Sequence, residues 1–187
     1  MGIAIPLPEI TTARLRLQPA QGHDLDELHA LWITPDVRKF LWDDQVISRT
    51  LAATTLERSS VWFERYGYGL WLMRECRSVP IIGFCGLRPG EDSPDPELLY
   101  GLARSHWGQG LATEAAHAVL RYGFEGLGLE RIRAVTDARN VASVAMMQRL
   151  AMDFQCRETV EGLDLVTYGL SRQQFNPGTA SYQVHRA

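Results

Sequence analysis

The segment whose residues are best suited to bind a ligand runs from Leu102 to Glu125 and joins a glycine-bearing turn to a predicted helix. Gly108 and Gly110 lack side chains, so a ligand can approach the backbone closely there. The first turn of a helix also offers unpaired N–H groups and a partial positive charge. Such a turn can bind a phosphate or pyrophosphate, although two glycines alone fit an empty strand-to-helix turn equally well.

A second polar group precedes the helix predicted over residues 141–150. Asn140 is well placed to cap the N-terminus of this helix, and Ser143 then falls at its third position. A capping Asn still has side-chain amide donors to offer, so capping does not exclude ligand binding. Asn140 and Ser143 are therefore candidates for both roles.

The elements that must position these groups are predicted in the order β-α-α-β-β-β-α-β-α-β-β. The predicted strands cover residues 13–18, 68–74, 81–87, 97–103, 131–136, 154–160 and 164–170. Four helices are predicted: residues 24–33, residues 48–66, the segment that follows the glycine turn and ends near Phe124, and residues 141–150. Pro35 is expected to end the first of them. Because hairpin strands precede the helical crossovers, we expect an α/β fold with a mixed sheet and helices on both faces.

Length and composition indicate one ordinary globular domain. The chain has 187 residues, 45% of them hydrophobic and 22% charged. We expect a single domain over residues 1–175 and a loose polar tail over residues 176–187. The net charge of −3 argues against a generic nucleic-acid-binding surface, so no nucleic-acid partner is expected.

Cysteine usage and the N-terminal segment bear on the compartment. Cys76, Cys85 and Cys156 lack CxxC spacing and are interpreted as reduced, buried thiols of a cytoplasmic protein. The first residues, MGIAIPLPEI, lack the basic segment of a signal peptide, and no apolar run is long enough to span a bilayer. The five histidines are scattered without metal-binding spacing, so no metal site is expected.

Three segments in chain order resemble the GNAT superfamily of acetyl-CoA-dependent N-acetyltransferases. They are ARLRLQ at residues 13–18, Glu97 followed by WGQGLATEA at 107–115, and NVAS at 140–143 followed by MQRLAM at 147–152. The similarity is greatest to the RimJ/RimL-type branch, which acetylates N-terminal amines of ribosomal proteins. It implies the GNAT fold, in which strands 97–103 and 131–136 splay apart and admit the pantetheine arm of acetyl-CoA.

The resemblance also implies where the cofactor binds. The pyrophosphate would meet backbone N–H groups in the glycine turn, from Gly108, Gln109, Gly110, Leu111, Ala112 and Thr113. The pantetheine amides would pair with the backbone of Leu102, Ala103 and Arg104. The side chain of Asn140 would contact the pantetheine and that of Arg149 the phosphates. Glu114, whose charge would repel a phosphate, is expected to point away from it.

The implied catalytic groups are Glu97 and Ser143. Glu97 would accept the proton of the attacking amine, with Tyr100 as its rival on the opposite face of the same strand. Ser143 would lie near the sulfur. Met147 stands where many members have a Tyr that protonates the thiolate, so the acid is Ser143, a water, or none. Ala151 replaces a common Gly, at little cost if its φ is negative.

The implied reaction moves an acetyl group to a primary amine by direct attack in a ternary complex, in a monomer or homodimer. A protein or peptide N-terminus is the favoured acceptor, with small-molecule amines and antibiotics as the alternative. An aromatic and acidic acceptor pocket is expected from Trp32, Trp42, Trp62, Tyr66, Asp43 and Asp44.

Two other classes of function compete. A GNAT-fold module that binds coenzyme A without catalysis would retain the same motifs. A dinucleotide-binding oxidoreductase would use the Gly108-Gln109-Gly110 turn, with Asp137 as the ribose-binding acid. Thr113 in place of the third glycine, and the hairpin strands before the turn, argue against the oxidoreductase.

Overall fold

A computed structural model describes residues 7–186, and the strands within that range form one nine-stranded sheet. The strands are β1 (Pro8–Thr12), β2 (Leu15–Pro19), β3 (Leu70–Glu75), β4 (Gly83–Arg88), β5 (Glu97–Leu102), β6 (Arg131–Asp137), β7 (Asp153–Val160), β8 (Leu163–Ser171) and β9 (Tyr182–Arg186). Their spatial order is β7-β8-β6-β5-β4-β3-β2-β1-β9. The single strand expected over residues 13–18 is thus part of a hairpin, β1–β2.

The helices are α1 (Leu25–Trp32), α2 (Pro35–Leu41), α3 (Arg49–Tyr66), α4 (Leu111–Arg121) and α5 (Val141–Arg149). Pro35, expected only to end the preceding helix, also begins α2. Proline is tolerated in the first turn because no helical partner is required for its missing N–H. The Ser48 side chain caps α3 by accepting a hydrogen bond from Leu51 N, and Gly67, with a φ of 76°, ends that helix.

The core lies in two layers because β3 alternates between them. Leu70 and Leu72 pack with the cluster that contains α1 and α2, whereas Trp71 and Met73 pack with the cluster that contains α4 and α5. All four side chains are buried. The expected mixed sheet with helices on both faces is confirmed.

The sheet opens between β5 and β6. These parallel strands share one paired position, Glu97 with Arg133, where Arg133 N donates to Pro96 O at 2.9 Å. By contrast, β6 pairs with β8 at seven positions, from Arg131 to Asp137. The predicted splay is therefore confirmed, and it widens toward the C-terminal ends of β5 and β6.

The end of the chain departs from expectation. Tyr182–Arg186 form β9, which pairs antiparallel with β1, so the prediction of a loose segment is wrong here. Phe175 leads the chain across α4, with its ring 5.1 Å from that of His117. The strand forms because β1 would otherwise leave a row of backbone N–H and C=O groups unpaired at the edge.

Other sequence expectations have mixed outcomes within residues 7–186. Cys76, Cys85 and Cys156 are all free, but only Cys85 is buried, so the expectation of three buried thiols is wrong for the other two. In the described range, no helix is long and apolar enough to cross a membrane, and no His, Cys, Asp and Glu side chains group as metal ligands. The first six residues, on which the signal-peptide expectation partly rests, lie outside that range.

Candidate active site

The N-terminus of α4 has the geometry of an anion site. Gly108 and Gly110 have φ values of 74° and 75°, a conformation that side chains disfavour. A Cβ at Gly108 would meet nothing within 4 Å, so the turn is open there. No side chain caps the helix, and its first backbone bond is from Glu114 N to Gly110 O. The N–H groups of Leu111, Ala112 and Thr113 therefore precede the helical bonding pattern and suit a pyrophosphate.

Glu114 is directed away from this turn, as predicted. Its carboxylate accepts hydrogen bonds from Thr12 Oγ1 at 2.6 Å, Arg14 N at 3.1 Å and Arg14 Nε at 2.6 Å. Burial would raise the pKa of Glu114, but these donors outweigh burial and lower it. Arg14 Nη1 also donates to Gln109 O at 2.9 Å. The β1–β2 hairpin thus braces the glycine turn from behind.

The open edge of β5 presents alternate backbone groups to the splay. Pro96 O bonds toward β6, whereas Ala103 N bonds toward β4, to Ile82 O at 2.8 Å. By alternation, Tyr100 and Leu102 direct their backbone groups into the opening. Of the three residues implied for pantetheine pairing, Ala103 already uses its N–H within the sheet, and Leu102 retains an N–H on the open side.

Trp107 fixes the path that the chain takes from β5 to the glycine turn. Its indole Nε1 donates to Leu102 O at 2.6 Å. The Arg104 guanidinium lies over the Trp107 ring, 4.5 Å from the centroid, and Arg104 begins a single 3-10 turn that ends at His106. Trp107 therefore has a structural role at the start of the glycine turn.

At the start of α5, Asn140 both caps the helix and contacts β6. Its Oδ1 accepts from Ser143 N at 3.3 Å, and its Nδ2 donates to Thr136 Oγ1 at 3.1 Å. The capping interpretation of Asn140 is therefore confirmed. A second Nδ2 hydrogen is still available for a ligand in the cavity that Asn140 lines.

Tyr100 and Ser143 meet across the opening, which sequence reasoning did not foresee. The Tyr100 hydroxyl lies 2.6 Å from Ser143 Oγ. Burial raises the pKa of Tyr100 to about 12, against the lowering effect of the bond to Ser143. Tyr100 is therefore neutral at physiological pH and suited to donate a proton. The two residues are 43 positions apart, so no local pattern signals the contact.

Glu97 occupies the last rung before the splay. On the sheet face opposite to Tyr100, the side chains of Arg88, Glu97 and Arg133 form what we call the Arg88–Glu97–Arg133 row. Arg88 Nη2 donates to Glu97 Oε1 at 2.7 Å, and Arg133 Nη2 donates to Oε2 at 3.5 Å. Glu97 is buried, and both of its oxygens are engaged.

One cavity of about 890 Å³ unites these features. It runs from the N-terminus of α4, along the open edge of β5, to Glu97 and the face of α2. Its lining includes every residue implied for the cofactor except Ala103 and Gln109, and both implied catalytic residues.

The acceptor end of the cavity differs from expectation. None of the aromatic and acidic residues expected there lines it; instead α2 contributes Lys39, Phe40 and Leu41, and β4 contributes Arg88. Among the expected aromatic residues, Trp32 and Trp42 pack with the core around α1 and α2. Trp32 is buried against Trp42, with ring centroids 5.5 Å apart. The expectation of an aromatic and acidic pocket is therefore wrong: these side chains lie outside the cavity, and packing in the core accounts for Trp32 and Trp42.

The structure shows the surroundings of the two residues that depart from the family pattern, Met147 and Ala151. Met147 is fully buried in the core, so its side chain does not replace the missing hydroxyl. Ala151 has a φ of 58°, so the condition for a cheap replacement of glycine is not met. A left-handed conformation costs a residue with a Cβ roughly 1–2 kcal/mol.

The oxidoreductase alternative is excluded by the sheet. A doubly wound dinucleotide fold needs a mostly parallel sheet, whereas every strand pair here except β5–β6 is antiparallel within the described residues. Asp137, the proposed ribose ligand, is held by Arg139, whose Nη2 lies 2.6 Å from Oδ2. Hydrogen bonds from Arg139 lower the pKa of Asp137.

Comparisons with known proteins agree with this geometry. Residues 14–153 match the family model of the acetyltransferase (GNAT) domain. The chain is 36% identical over 149 residues to uncharacterized protein YkkB of Bacillus subtilis (strain 168), which covers 78% of this chain and 86% of that protein. It is 29% identical over 145 residues to uncharacterized N-acetyltransferase p20 of Bacillus licheniformis, which covers 75% of this chain and 79% of that protein.

Solved structures share the fold at low identity. An acetyltransferase from Agrobacterium tumefaciens superposes with a TM-score of 0.78 at 21% identity, covering 91% of this chain and 98% of that one. A RimL ribosomal L7/L12 α-N-protein acetyltransferase, solved in complex with coenzyme A, gives 0.70 at 20% identity, covering 86% and 95%. At these identities the likeness establishes the fold.

Proposed function

We infer that this chain, which belongs to the GNAT acetyltransferase family and is an acetyl-CoA-dependent N-acetyltransferase, acts on the α-amine of a peptide or protein N-terminus. The observation that carries this proposal is the continuous cavity, in which an uncapped helix terminus, an open strand edge and Glu97 share one space. An α-amine has a pKa of roughly 7.7–8.0 and a lysine amine about 10.4, so an α-amine needs less help from a base. This smaller demand for a base suits Glu97, whose carboxylate already binds two guanidinium groups.

The proposed cofactor contacts follow the length of the cavity. Backbone N–H groups from Gly108 to Thr113 hold the pyrophosphate, because they are unobstructed and lie at the positive end of α4. The Leu102 backbone and the Asn140 amide hold the pantetheine. Arg104 and Arg149 also line the cavity and add positive charge to it.

The proposed chemistry places the two proton transfers on opposite faces of β5. Acetyl-CoA supplies a thioester carbonyl; the amine nitrogen bonds to its carbon and the carbon–sulfur bond breaks. Glu97 accepts the proton that the amine loses. On the other face, Ser143 donates a proton to the sulfur and regains one from Tyr100, which is replenished from solvent. Thiol pKa values are about 8.5, so coenzyme A thiolate is a tolerable leaving group. Protonation of the sulfur by Ser143 therefore assists the reaction but is not indispensable.

Free cysteines support a cytoplasmic location for this activity. Cys76 and Cys156 are exposed and form no disulfide, a state that reducing compartments preserve.

The proposal is tested by acetyl-CoA turnover, read as free thiol, on N-terminal peptides, amino acids, polyamines and aminoglycosides. Glu97→Gln should lower kcat by about 10²–10⁴-fold with acetyl-CoA affinity unchanged, while Glu91→Gln, at an exposed loop residue, should leave it unaltered. For an α-amine the deficit should shrink as the pH rises toward about 8, where more acceptor is already neutral.

Three results would contradict parts of this proposal. A Glu97→Gln enzyme with full kcat at pH 7 would remove Glu97 from proton transfer. Preferred turnover of an aminoglycoside or another small amine would replace the acceptor class. Coenzyme A binding without turnover on any amine would indicate a binding module instead.

A further inference from the structure

The Arg88–Glu97–Arg133 row carries more positive charge than its own carboxylate balances. It contains two guanidinium groups and one carboxylate, which lie side by side on three neighbouring strands. Glu97 offers two oxygens, and each is met by one Arg Nη2. A guanidinium has five N–H donors, so most of the donors in the row remain for other acceptors.

The unused donors include buried ones. Among the residues that the structure describes, Arg88 Nε and Arg133 Nε are buried and have no hydrogen-bond partner. Leaving a charged donor buried and unpaired is costly, so the chain itself does not compensate the charge of these two groups, and an anion at the exposed part of Arg88 would offset it. The two guanidinium groups differ in access. The Arg88 side chain is 42% exposed and lines the cavity, whereas the Arg133 side chain is 22% exposed.

A lysine on α2 adds to the positive charge of the cavity lining. This residue is Lys39, and within the described part of the chain no carboxylate lies within 4.0 Å of it. Asp36, the acidic residue that α2 brings to the cavity, lies 4.0 Å from Arg104 Nη1. The acceptor end thus favours an anion over a cation.

We propose that the acceptor carries a carboxylate near its reacting amine and that Arg88 binds this carboxylate, an inference that rests on the proposed acetyl transfer. The planar fork of a guanidinium matches the two oxygens of a carboxylate, which a lysine cannot reproduce. Two sources share this chemistry: the α-carboxylate of a free amino acid and an acidic side chain next to a peptide N-terminus. Polyamines and aminoglycosides are disfavoured because they would bring positive charge to this surface.

The test compares acceptors that are matched in shape and differ in this charge, with kcat/KM expressed per unprotonated amine because an α-carboxylate also raises the pKa of the neighbouring amine. One pair is an amino acid and its α-amide; the other is two C-terminally amidated tetrapeptides with aspartate or asparagine at the second position. Wild-type enzyme should prefer the carboxylate member of at least one pair by about tenfold or more in kcat/KM, the scale of a hydrogen bond to a charged group. The preferred pair identifies the source: a preference within the amino-acid pair replaces the peptide acceptor of the proposed function but keeps this inference, whereas a preference within the peptide pair keeps both. Added salt should weaken the preference.

Variants connect the preference to Arg88. Arg88→Gln should bring the ratio of the preferred pair close to one, mainly through KM of the carboxylate member. Arg88→Lys should keep part of the preference, because it keeps the charge without the fork. Arg58→Gln, at an exposed position on α3 outside the cavity, should leave the ratio unchanged.

Each contrary outcome has a distinct meaning. If Arg88 only positions Glu97, Arg88→Gln lowers turnover of both members equally and the ratio survives, which overturns the inference. Wild-type ratios near one in both pairs, or better turnover of spermidine, also overturn it while leaving acetyl transfer intact. Absence of transfer to every amine overturns the inference together with the proposed function.

Discussion

Removal of the Tyr100 hydroxyl is the sharpest perturbation of the proposed acid side of the site. In Tyr100→Phe the ring continues to fill its place beside Cys85, while the 2.6 Å contact with Ser143 Oγ disappears. Because burial holds the pKa of Tyr100 at about 12, only roughly one molecule in 10⁴ is ionised at pH 8. The hydroxyl is therefore a proton donor under any ordinary assay condition, and its loss should not resemble the loss of a base.

The expected size of the effect follows from this role. General acid catalysis contributes about 10²–10⁴-fold, and coenzyme A is a tolerable leaving group, so kcat should fall near the lower end, about 10²-fold. The loss of one buried hydrogen bond should lower the free energy of unfolding by only about 0.5–1.5 kcal/mol. Ser143→Ala should cause a similar fall in kcat, and the double variant should fall no further, because the two hydroxyls act as a unit.

The assay is steady-state release of free thiol from pH 6 to pH 10, accompanied by urea unfolding of each variant. The ratio of wild-type to Tyr100→Phe activity should be flat across this range, since Tyr100 does not titrate within it. Full kcat in Tyr100→Phe, or multiplied losses in the double variant, would show that the hydroxyl pair does not supply the proton.

Three further outcomes are expected. Glu114→Gln should raise KM for acetyl-CoA, because Arg14 then holds Gln109 less firmly. Hydrogen-bond donors lower the pKa of Glu114, so its stabilising effect is present above about pH 4.3 and is lost as the pH falls further. The difference in Tm between wild type and Glu114→Gln should therefore close in acid. Ala151→Gly should raise the free energy of unfolding by about 0.5–1 kcal/mol in urea titrations, and a lower value would contradict the strain argument. Cys85→Ala should keep kcat within a few-fold, because burial raises the pKa of that thiol; an acetylated Cys85 in mass spectra would instead refute direct transfer.

The sequence predicts those parts of the site that depend on local chemistry. Glycines at 108 and 110 specify the turn through their positive φ, and Asn140 specifies the start of α5 through its side chain. Glu114 was expected to avoid the phosphate site on charge alone, and its partners on the β1–β2 hairpin bear this out.

The remaining parts depend on distant segments that meet only in the folded chain. Tyr100 and Ser143 come together because α5 returns over the open strand edge, and the basic acceptor end exists because three strands align Arg88 with Glu97 and Arg133. Trp32 and Trp42 gave a wrong expectation because their packing in the cluster around α1 and α2 depends on tertiary contacts that no local pattern encodes.

The single rung between β5 and β6 has a consequence for how the molecule opens. It divides the sheet into a larger part, from β9 to β5, and a smaller part made of β6, β8 and β7. Segments with few shared hydrogen bonds open sub-globally at lower free energy than the whole molecule. A ligand held by the β5 backbone on one side and by Asn140, which follows β6, on the other ties the two parts together, adding about 2.7 kcal/mol at a concentration a hundred times its Kd. Hydrogen exchange of the β6 and β8 amides should therefore slow more than that of β3 when acetyl-CoA binds, so that the co-substrate acts as a missing strand of the fold.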